Sequence, residues 1–498
     1  METLNRNKYL LTGFSLLLAI FCLYKVQYSS QSIVGYDGYY HIRIAEQMRT
    51  KGIFSASPSL ICFPEGTFVD HHFLYHILLI PFTYSGLMVG AKNSSLFFDF
   101  LLLLSIAVIL LKMNVPAPFM WILLCVSLSG TFLFRLSLPR AVVPSLIVLI
   151  WIWYLMLKKK YISTYIVSFL YPLLYGGFSA VFLVFAGVLL SELWITRKLD
   201  YKTALSVLAG IITGLVLNPF FPLNINFIYL QTTSAGLLRE VEGGGEWKSF
   251  TPEEFMTGQF PLIALFLISI YFITLSTKKK GIDTLSMLVV SVMSLAMCWR
   301  WRRFIELAVP FVLLFASLAF RDCIDDFLKF TVFKKKAPSK FGIAIPALAI
   351  LFLLLFQTQS AMAQVSSDRR EYNRYRNGLQ WLLENDIGMG VYLSDWDDYP
   401  ELYFYNPDNH YLVGLDPAFL YLYDKKMYKI WNEINNGTYK GNLRDVFIKL
   451  FKTPILFTDY AHGNFIRMVE MDPSIKIDYA DAYCKIYKVL PERKVNLQ

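Results

Sequence analysis

The feature that most constrains this chain is a series of apolar runs that recurs from Leu10 to Leu355 and then stops. Each run covers about 17–21 residues, the length of helix needed to cross a hydrocarbon core of about 30 Å. A backbone in lipid has to satisfy its own polar groups, so such runs fold as spanning helices. The segments that read as crossings are 9–28, 93–113, 117–135, 141–157, 161–176, 178–195, 203–219, 259–277, 283–299, 304–320 and 341–359. No small-residue cleavage site follows the first run, which therefore reads as a span and not as a signal peptide. Only 17% of the 498 residues are charged, against about a quarter in soluble domains. The net charge of +10 gathers in short lysine clusters between apolar runs, where it sets topology. No basic patch is interleaved with aromatics, so no nucleic-acid partner is expected. The six cysteines form no CxxC pair, and neither a zinc site nor a disulfide framework is indicated.

Charge also settles how to count an ambiguous apolar segment, 73–90. Basic clusters occur at Lys158–Lys160, Arg197–Lys202, Lys278–Lys280 and Lys329–Lys340. If 73–90 crossed the bilayer, these clusters would lie opposite the N-terminal Arg6 and Lys8. If it lies in the interface or re-enters, all of them share the cytoplasmic side. Pro81 suits a broken helix there. The expected fold is an α-helical polytopic membrane domain of about eleven spans over 1–360, with outer loops 29–90 and 220–258. A soluble extracytoplasmic α/β domain, 361–498, follows. The protein is expected to be a multi-pass protein of the cell inner or plasma membrane, with a cytoplasmic N-terminus. In the tail the pattern predicts helices at Asp368–Glu384, Pro400–Tyr405, Phe419–Ile434 and Leu443–Phe451. Strands are predicted at Val391–Leu393, Tyr411–Val413, Ile455–Phe457, Ile475–Tyr479 and Tyr483–Val489.

In this topology all six histidines fall on the outer side: His41, His71, His72, His76, His410 and His462. That asymmetry points to chemistry at the outer face, or only to polar residues seeking water. Asp37 and His41, four apart, share a helix face in the first loop. They could activate a nucleophile or hold a metal, whereas Asp37 alone could cap the helix. Asp70, His71, His72 and His76 form a second cluster, with His72 and His76 at helical i,i+4 spacing. A divalent ion, Mg or Mn, held by Asp37, Asp70, His71 and His72 is one reading; solvated histidines on an interfacial segment are the other. Arg300, Arg302 and Arg303 sit in an outer turn against the positive-inside tendency. Guanidinium there binds a lipid phosphate or snorkels to headgroups. Glu240, Glu242 and Glu246 flank a glycine run in the second outer loop, which holds a metal, gates a site or is a solvated hinge. Ser394–Pro400 follows a predicted strand and opens a helix, so its acids either touch a ligand or cap that helix.

These pieces, in this order, resemble the catalytic subunit of oligosaccharyltransferases, within the C-type membrane glycosyltransferases. Asp37-Gly38-Tyr39-Tyr40-His41 is similar to that family's first-loop acid and aromatic helix start. Arg300–Arg303 before Phe304 looks like its pyrophosphate-binding arginine, and Glu240 is placed like its outer-loop glutamate. Asp395-Trp396-Asp397-Asp398-Tyr399-Pro400 is similar to its Trp-Trp-Asp-Tyr-Gly acceptor motif, in altered form. The turn Arg135–Ala141 carries no acid where the family has a second metal-binding pair. Either Asp70, His71 and His72 substitute, or no metal is used. The resemblance implies transfer of a sugar or oligosaccharide from a polyprenyl-linked donor, among membrane lipids, to a protein, lipid or glycan acceptor. Asp37 and His41 would be catalytic, and Arg300, Arg302 and Arg303 would bind the donor phosphate. Glu240, Glu246, Trp396, Asp397, Asp398 and Tyr399 would face the acceptor. The rivals are a transporter or flippase, which would show charged spans and paired repeats, and a non-catalytic envelope-assembly protein.

Overall fold

A computed structural model describes residues 7–64, 67–229, 244–275, 279–330, 340–367 and 371–491. Helices form in every segment expected to cross the membrane. Five are long and apolar enough to cross alone: Lys8–Gln27, Leu87–Lys112, Ile282–Arg300, Arg302–Ile324 and Ile345–Ser367. Two further pairs bend sharply, Pro118–Cys125 with Gly130–Leu136 by 85° and Pro252–Gly258 with Phe260–Leu275 by 77°. The remaining four, Val142–Leu157, Tyr161–Leu174, Ala180–Thr196 and Tyr201–Val216, are shorter. The chain is an integral membrane protein, and a count of eleven depends on these short helices crossing. Segment 73–90 is broken as Pro81 suggested: a helix at Phe73–Leu79 tightens into 3₁₀ turns at Ile80–Ser85, and a new helix starts at Leu87.

The tail is α/β. Its five strands are β1 (Gly390–Leu393), β2 (His410–Tyr411), β3 (Ile455–Asp459), β4 (Ile475–Ala480) and β5 (Cys484–Val489), in the order β2-β1-β3-β5-β4. β1 runs parallel to β2 and β3, and β5 lies antiparallel between β3 and β4. β1 and β3 are central and almost wholly buried, as their runs of apolar residues require. The first tail helix is observed at Arg376–Asn385; the expected start at Asp368 lies outside the described residues. The stretch expected as one helix over Phe419–Ile434 is two, Pro417–Tyr423 and Lys425–Asn435. Asp424 intervenes, and its carboxylate caps the second by accepting from Lys426 and Met427 amides. Gly463–Glu470 is a helix that the pattern missed.

There are two apolar cores. One is built by the membrane helices. The other joins the tail to the segment expected as the first outer loop, packing Tyr40, Ile44, Met48 and Leu60 with Tyr392, Leu402, Tyr411 and Phe457. The loop also extends the sheet at its β2 edge: Leu60 bridges Tyr411, the Ile61 amide donates to Tyr411 O at 2.8 Å, and the Tyr411 amide to Ser59 O at 2.9 Å. The tail is thus fixed over the helix that starts at Asp37. All six cysteines are buried, and none of them is joined in a disulfide.

Candidate active site

The site is organised by how closely two pieces of backbone approach. Asp37 opens the Asp37–Lys51 helix. The next residue has to be glycine, because a Cβ on Gly38 would fall 2.7 Å from Ile33 Cγ2 and 3.0 Å from Pro139 Cγ. This fit sets the start of the helix against the turn that joins Gly130–Leu136 to Val142–Leu157. Tyr36 is the N-cap, and its side chain makes no capping bond. Asp37 Oδ2 forms an ion pair with Arg140 Nε at 2.9 Å, with the carboxylate 41% exposed.

Arg140 belongs to a larger set of charges. Glu246 receives Arg140 Nη1 at 2.8 Å, Arg135 Nη2 at 3.1 Å and Arg303 Nη1 at 3.2 Å. Arg135 Nε also reaches Glu306 at 2.7 Å, in the first turn of the Ile305–Phe330 helix, where an acid is favoured by the helix dipole. Arg303 stacks over Trp247, 4.3 Å from the ring centre. Burial works to raise the Glu246 carboxyl, but Arg140, Arg303 and Arg135 hold it well below the usual carboxylate range. Three guanidinium groups therefore face three carboxylates, those of Asp37, Glu246 and Glu306. They line a cavity of about 1030 Å³ between the membrane helices and the tail, with His41, His71, His72, Trp247 and Trp396 also in its wall.

Arg300 and Arg302 do not line this cavity. Both fasten the second outer loop: Arg300 Nη1 donates to Ser249 Oγ at 3.2 Å, and Arg302 Nη2 reaches Glu254 at 2.6 Å. Of the three arginines expected at a donor phosphate, only Arg303 points inward. Arg135 and Arg140 line the cavity beside it. They stood in plain view in a turn noted only for lacking acids; two arginines in an outer turn carried the same signal as Arg300–Arg303.

The histidines meet as the interfacial reading of 73–90 required. Asp70 Oδ2 accepts from His76 Nδ1 at 2.7 Å, and its other oxygen accepts from the His72 amide at 2.9 Å. His76 Nε2 lies 2.8 Å from His41 Nδ1. Asp70 and His76 are almost wholly buried, and His41 is the end of this chain that reaches the cavity. His72 stacks on Tyr175 and its Nδ1 accepts from the Gly176 amide at 3.4 Å. His71 stacks on Phe227. Burial, reinforced by neighbouring positive charge, pulls His41 and His72 well below the normal histidine range. Burial also takes His71 down to about 4.

The donor set expected for a metal does not assemble. Asp37 is paired with Arg140, Asp70 with His76, and the Nδ1 atoms of His41 and His72 are spent on protein partners. Among the described residues no group of three or more His, Cys, Asp or Glu is arranged to hold an ion. The residues present do not fit a Mg or Mn site made of Asp37, Asp70, His71 and His72.

The tail motif divides. Trp396 and Asp397 line the cavity. Asp398 and Tyr399 do not, because packing turns them inward. Asp398 accepts from Arg374 at 2.9 Å and from Tyr375 at 2.8 Å, and burial pushes its carboxyl up to about 7. The Tyr399 hydroxyl donates to Pro58 O in the first outer loop. Glu240 lies outside the described residues, whereas Glu246 is at the centre of the arginines.

This helical membrane body with a small sheet set above a charged cavity has the fold of the C-type membrane glycosyltransferases. The oligosaccharyltransferase of Archaeoglobus fulgidus, solved with a tethered acceptor peptide containing the NVT sequon, matches with TM-score 0.66 at 12% identity over 90% of this chain and 69% of its own. ArnT from Cupriavidus metallidurans, solved with bound undecaprenyl phosphate, matches with TM-score 0.61 at 11% identity over 95% of this chain and 97% of its own. The mycobacterial arabinofuranosyltransferase AftD matches with TM-score 0.55 at 12% identity over 98% of this chain, which spans only 40% of it. No family profile and no curated protein sequence matches the chain.

Proposed function

We propose that the protein is a membrane glycosyltransferase that takes a sugar from a polyprenyl-phosphate donor and passes it to a protein, lipid or glycan acceptor at the outer membrane face. The observation that carries this reading is the Asp37–Arg140 pair on the wall of a cavity into which Arg303 also points. In the reaction the acceptor's nucleophilic oxygen bonds to the anomeric carbon and passes its proton to Asp37. The bond from that carbon to the phosphate oxygen breaks, and its electrons stay on the phosphate. Arg140 and Arg303 stabilise the charge that gathers there, as preorganised donors do for a leaving group. The site supplies three guanidinium groups, those of Arg135, Arg140 and Arg303, to neutralise a donor phosphate. ArnT, whose length this chain matches almost fully, binds undecaprenyl phosphate. The N-terminus would be cytoplasmic and the tail extracytoplasmic, so that sugar transfer faces water while the polyprenyl chain stays in lipid.

The test is mass spectrometry of lipid that co-purifies with the protein, together with transfer by Asp37→Asn. A polyprenyl-phosphate sugar in the wild type and loss of transfer in a folded variant are expected. Full activity of Asp37→Asn would overturn the assignment.

A further inference from the structure

The imidazoles of the cavity are more closely specified than a set of solvated rings would be. Asp70 is a carboxylate, and both of its oxygens accept, so His76 donates to it from Nδ1–H. With one ring proton on His76, at Nδ1, its Nε2 is a lone pair that accepts from His41 Nδ1–H across the 2.8 Å contact. That leaves His41 Nε2 as a lone pair. His72 is fixed the other way round. Its Nδ1 accepts from the Gly176 amide, so its proton sits on Nε2. The ring is clamped between the Tyr175 face, 5.5 Å away at 8°, and the neighbouring His71 ring. Gly176 itself has no room for a side chain, since a Cβ would fall 2.8 Å from His71 Cδ2. The His41 and His72 rings lie 5.5 Å apart, centre to centre, and both line the cavity.

An acceptor and a donor on neighbouring rings in one cavity wall suit a group that gives one hydrogen bond and takes another, as a sugar hydroxyl does. We propose that His41 Nε2 and His72 Nε2–H form a hydroxyl-reading subsite for a carbohydrate, with Asp70 and His76 as positioning residues that hold His41 in the accepting tautomer. This deepens the glycosyltransferase reading and rests on it. A site built to pair a hydroxyl rejects a substrate lacking it strongly, because its own polar atoms are then left unpaired. The subsite therefore selects among sugars by the configuration of one hydroxyl, on the donor sugar or on a glycan acceptor.

Two experiments on the full-length protein in detergent test it. The chain has six histidines, so ¹⁵N spectra of histidine-labelled protein can be assigned by single substitutions. His41 and His76 are expected as Nδ1–H tautomers and His72 as Nε2–H; a His41 ring protonated at Nε2 would overturn the proposal. In the second, tryptophan fluorescence follows titration with the methyl α-glycosides of glucose, galactose, mannose and N-acetylglucosamine, and separately with undecaprenyl phosphate. One glycoside is expected to bind at least tenfold more tightly than its epimers. His41→Phe and Asp70→Asn should abolish that preference and leave undecaprenyl phosphate binding within twofold. Equal binding of all glycosides, or of none, or loss of lipid binding together with the preference, counts against the subsite. Displacement of the glycoside by a lipid-linked sugar of the same configuration assigns the hydroxyl to the donor, and simultaneous binding assigns it to the acceptor. If undecaprenyl phosphate itself fails to bind the wild type, the glycosyltransferase reading falls first.

Discussion

Two turns expected on the outer side carry arginines against the positive-inside tendency, and the protein uses them differently. In the turn at 135–140, both arginines reach the cavity, where Arg135 is 7% and Arg140 18% exposed. In the turn at 300–303, Arg300 and Arg302 lie outward against the loop at 248–254, and only Arg303 turns in. The difference lies in the partners. Glu246 and Glu306 are enclosed where the helix ends converge, so the arginines that reach them exchange water for carboxylate. Glu254 is at the surface and draws Arg302 with it. An arginine in the wrong place signals a site only when a carboxylate or phosphate waits on its inner side.

The largest expected effect separates the two turns directly. Arg140→Ala should lower sugar transfer by about 10²–10³-fold, the cost of deleting one preorganised donor to a developing oxyanion. Arg300→Ala should leave it within about twofold, since no cavity group depends on that side chain. Initial rates with a lipid-linked donor measure both, and equal losses would erase the distinction. A smaller effect is expected from the backbone that brings Arg140 to Asp37. Gly38→Ala forces the helix start away from Pro139 by a few tenths of an ångström or more. Transfer should drop by about tenfold, because misplacing reacting groups costs rate steeply. Binding of undecaprenyl phosphate should change little.

Glu246 sharpens the comparison through pH. Its carboxyl is held well below its unfolded value by Arg140, Arg303 and Arg135, against burial. A depressed carboxylate adds stability that is complete above the unfolded pKa and is lost as pH falls through the folded one. The melting temperature should therefore fall on acidification from pH 5 towards pH 3 (an interval set by the usual carboxylate pKa of about 4.3). Glu246→Gln should start lower at pH 6, flatten that slope, and regain stability when undecaprenyl phosphate replaces the missing anion. A slope unchanged in Glu246→Gln would show that the arginines do not depend on it.

Much of this was legible in the sequence, and the remainder was not for identifiable reasons. The apolar runs set out the membrane helices because length and hydropathy act locally. The i,i+4 spacing placed Asp37 and His41 on one face, and the charge parity of the lysines kept 73–90 with them. The bond from His41 to His76 crosses 35 positions, and no local pattern encodes its geometry. Asp398 and Tyr399 show the opposite failure. Their motif was recognisable, but Arg374, Tyr375 and the Pro58 carbonyl drew them away from the cavity. A carboxylate's destination depends on which cation packs beside it, and this is a tertiary fact. The two acids named for a metal, Asp37 and Asp70, likewise have tertiary partners in Arg140 and His76.

The smallest effect tests the outward half of the comparison. Arg302 and Glu254 are 36% and 45% exposed, so their 2.6 Å contact is screened by water and salt. Exposed pairs of this kind add little to stability. Glu254 is also tied locally: Thr251 and Glu254 form a reciprocal capping box at the start of Pro252–Gly258. Arg302→Ala should therefore leave this short helix intact and loosen only its attachment to the 300–303 turn. Hydrogen exchange at 248–254 should rise several-fold, with melting temperature and lipid binding unchanged. Raising the salt concentration should bring the wild type towards the variant, because screening removes what the substitution removes. If Arg302→Ala weakened undecaprenyl phosphate binding as Arg140→Ala is expected to, the second turn would belong to the donor site after all, and burial of the partner would not be what sorts these arginines.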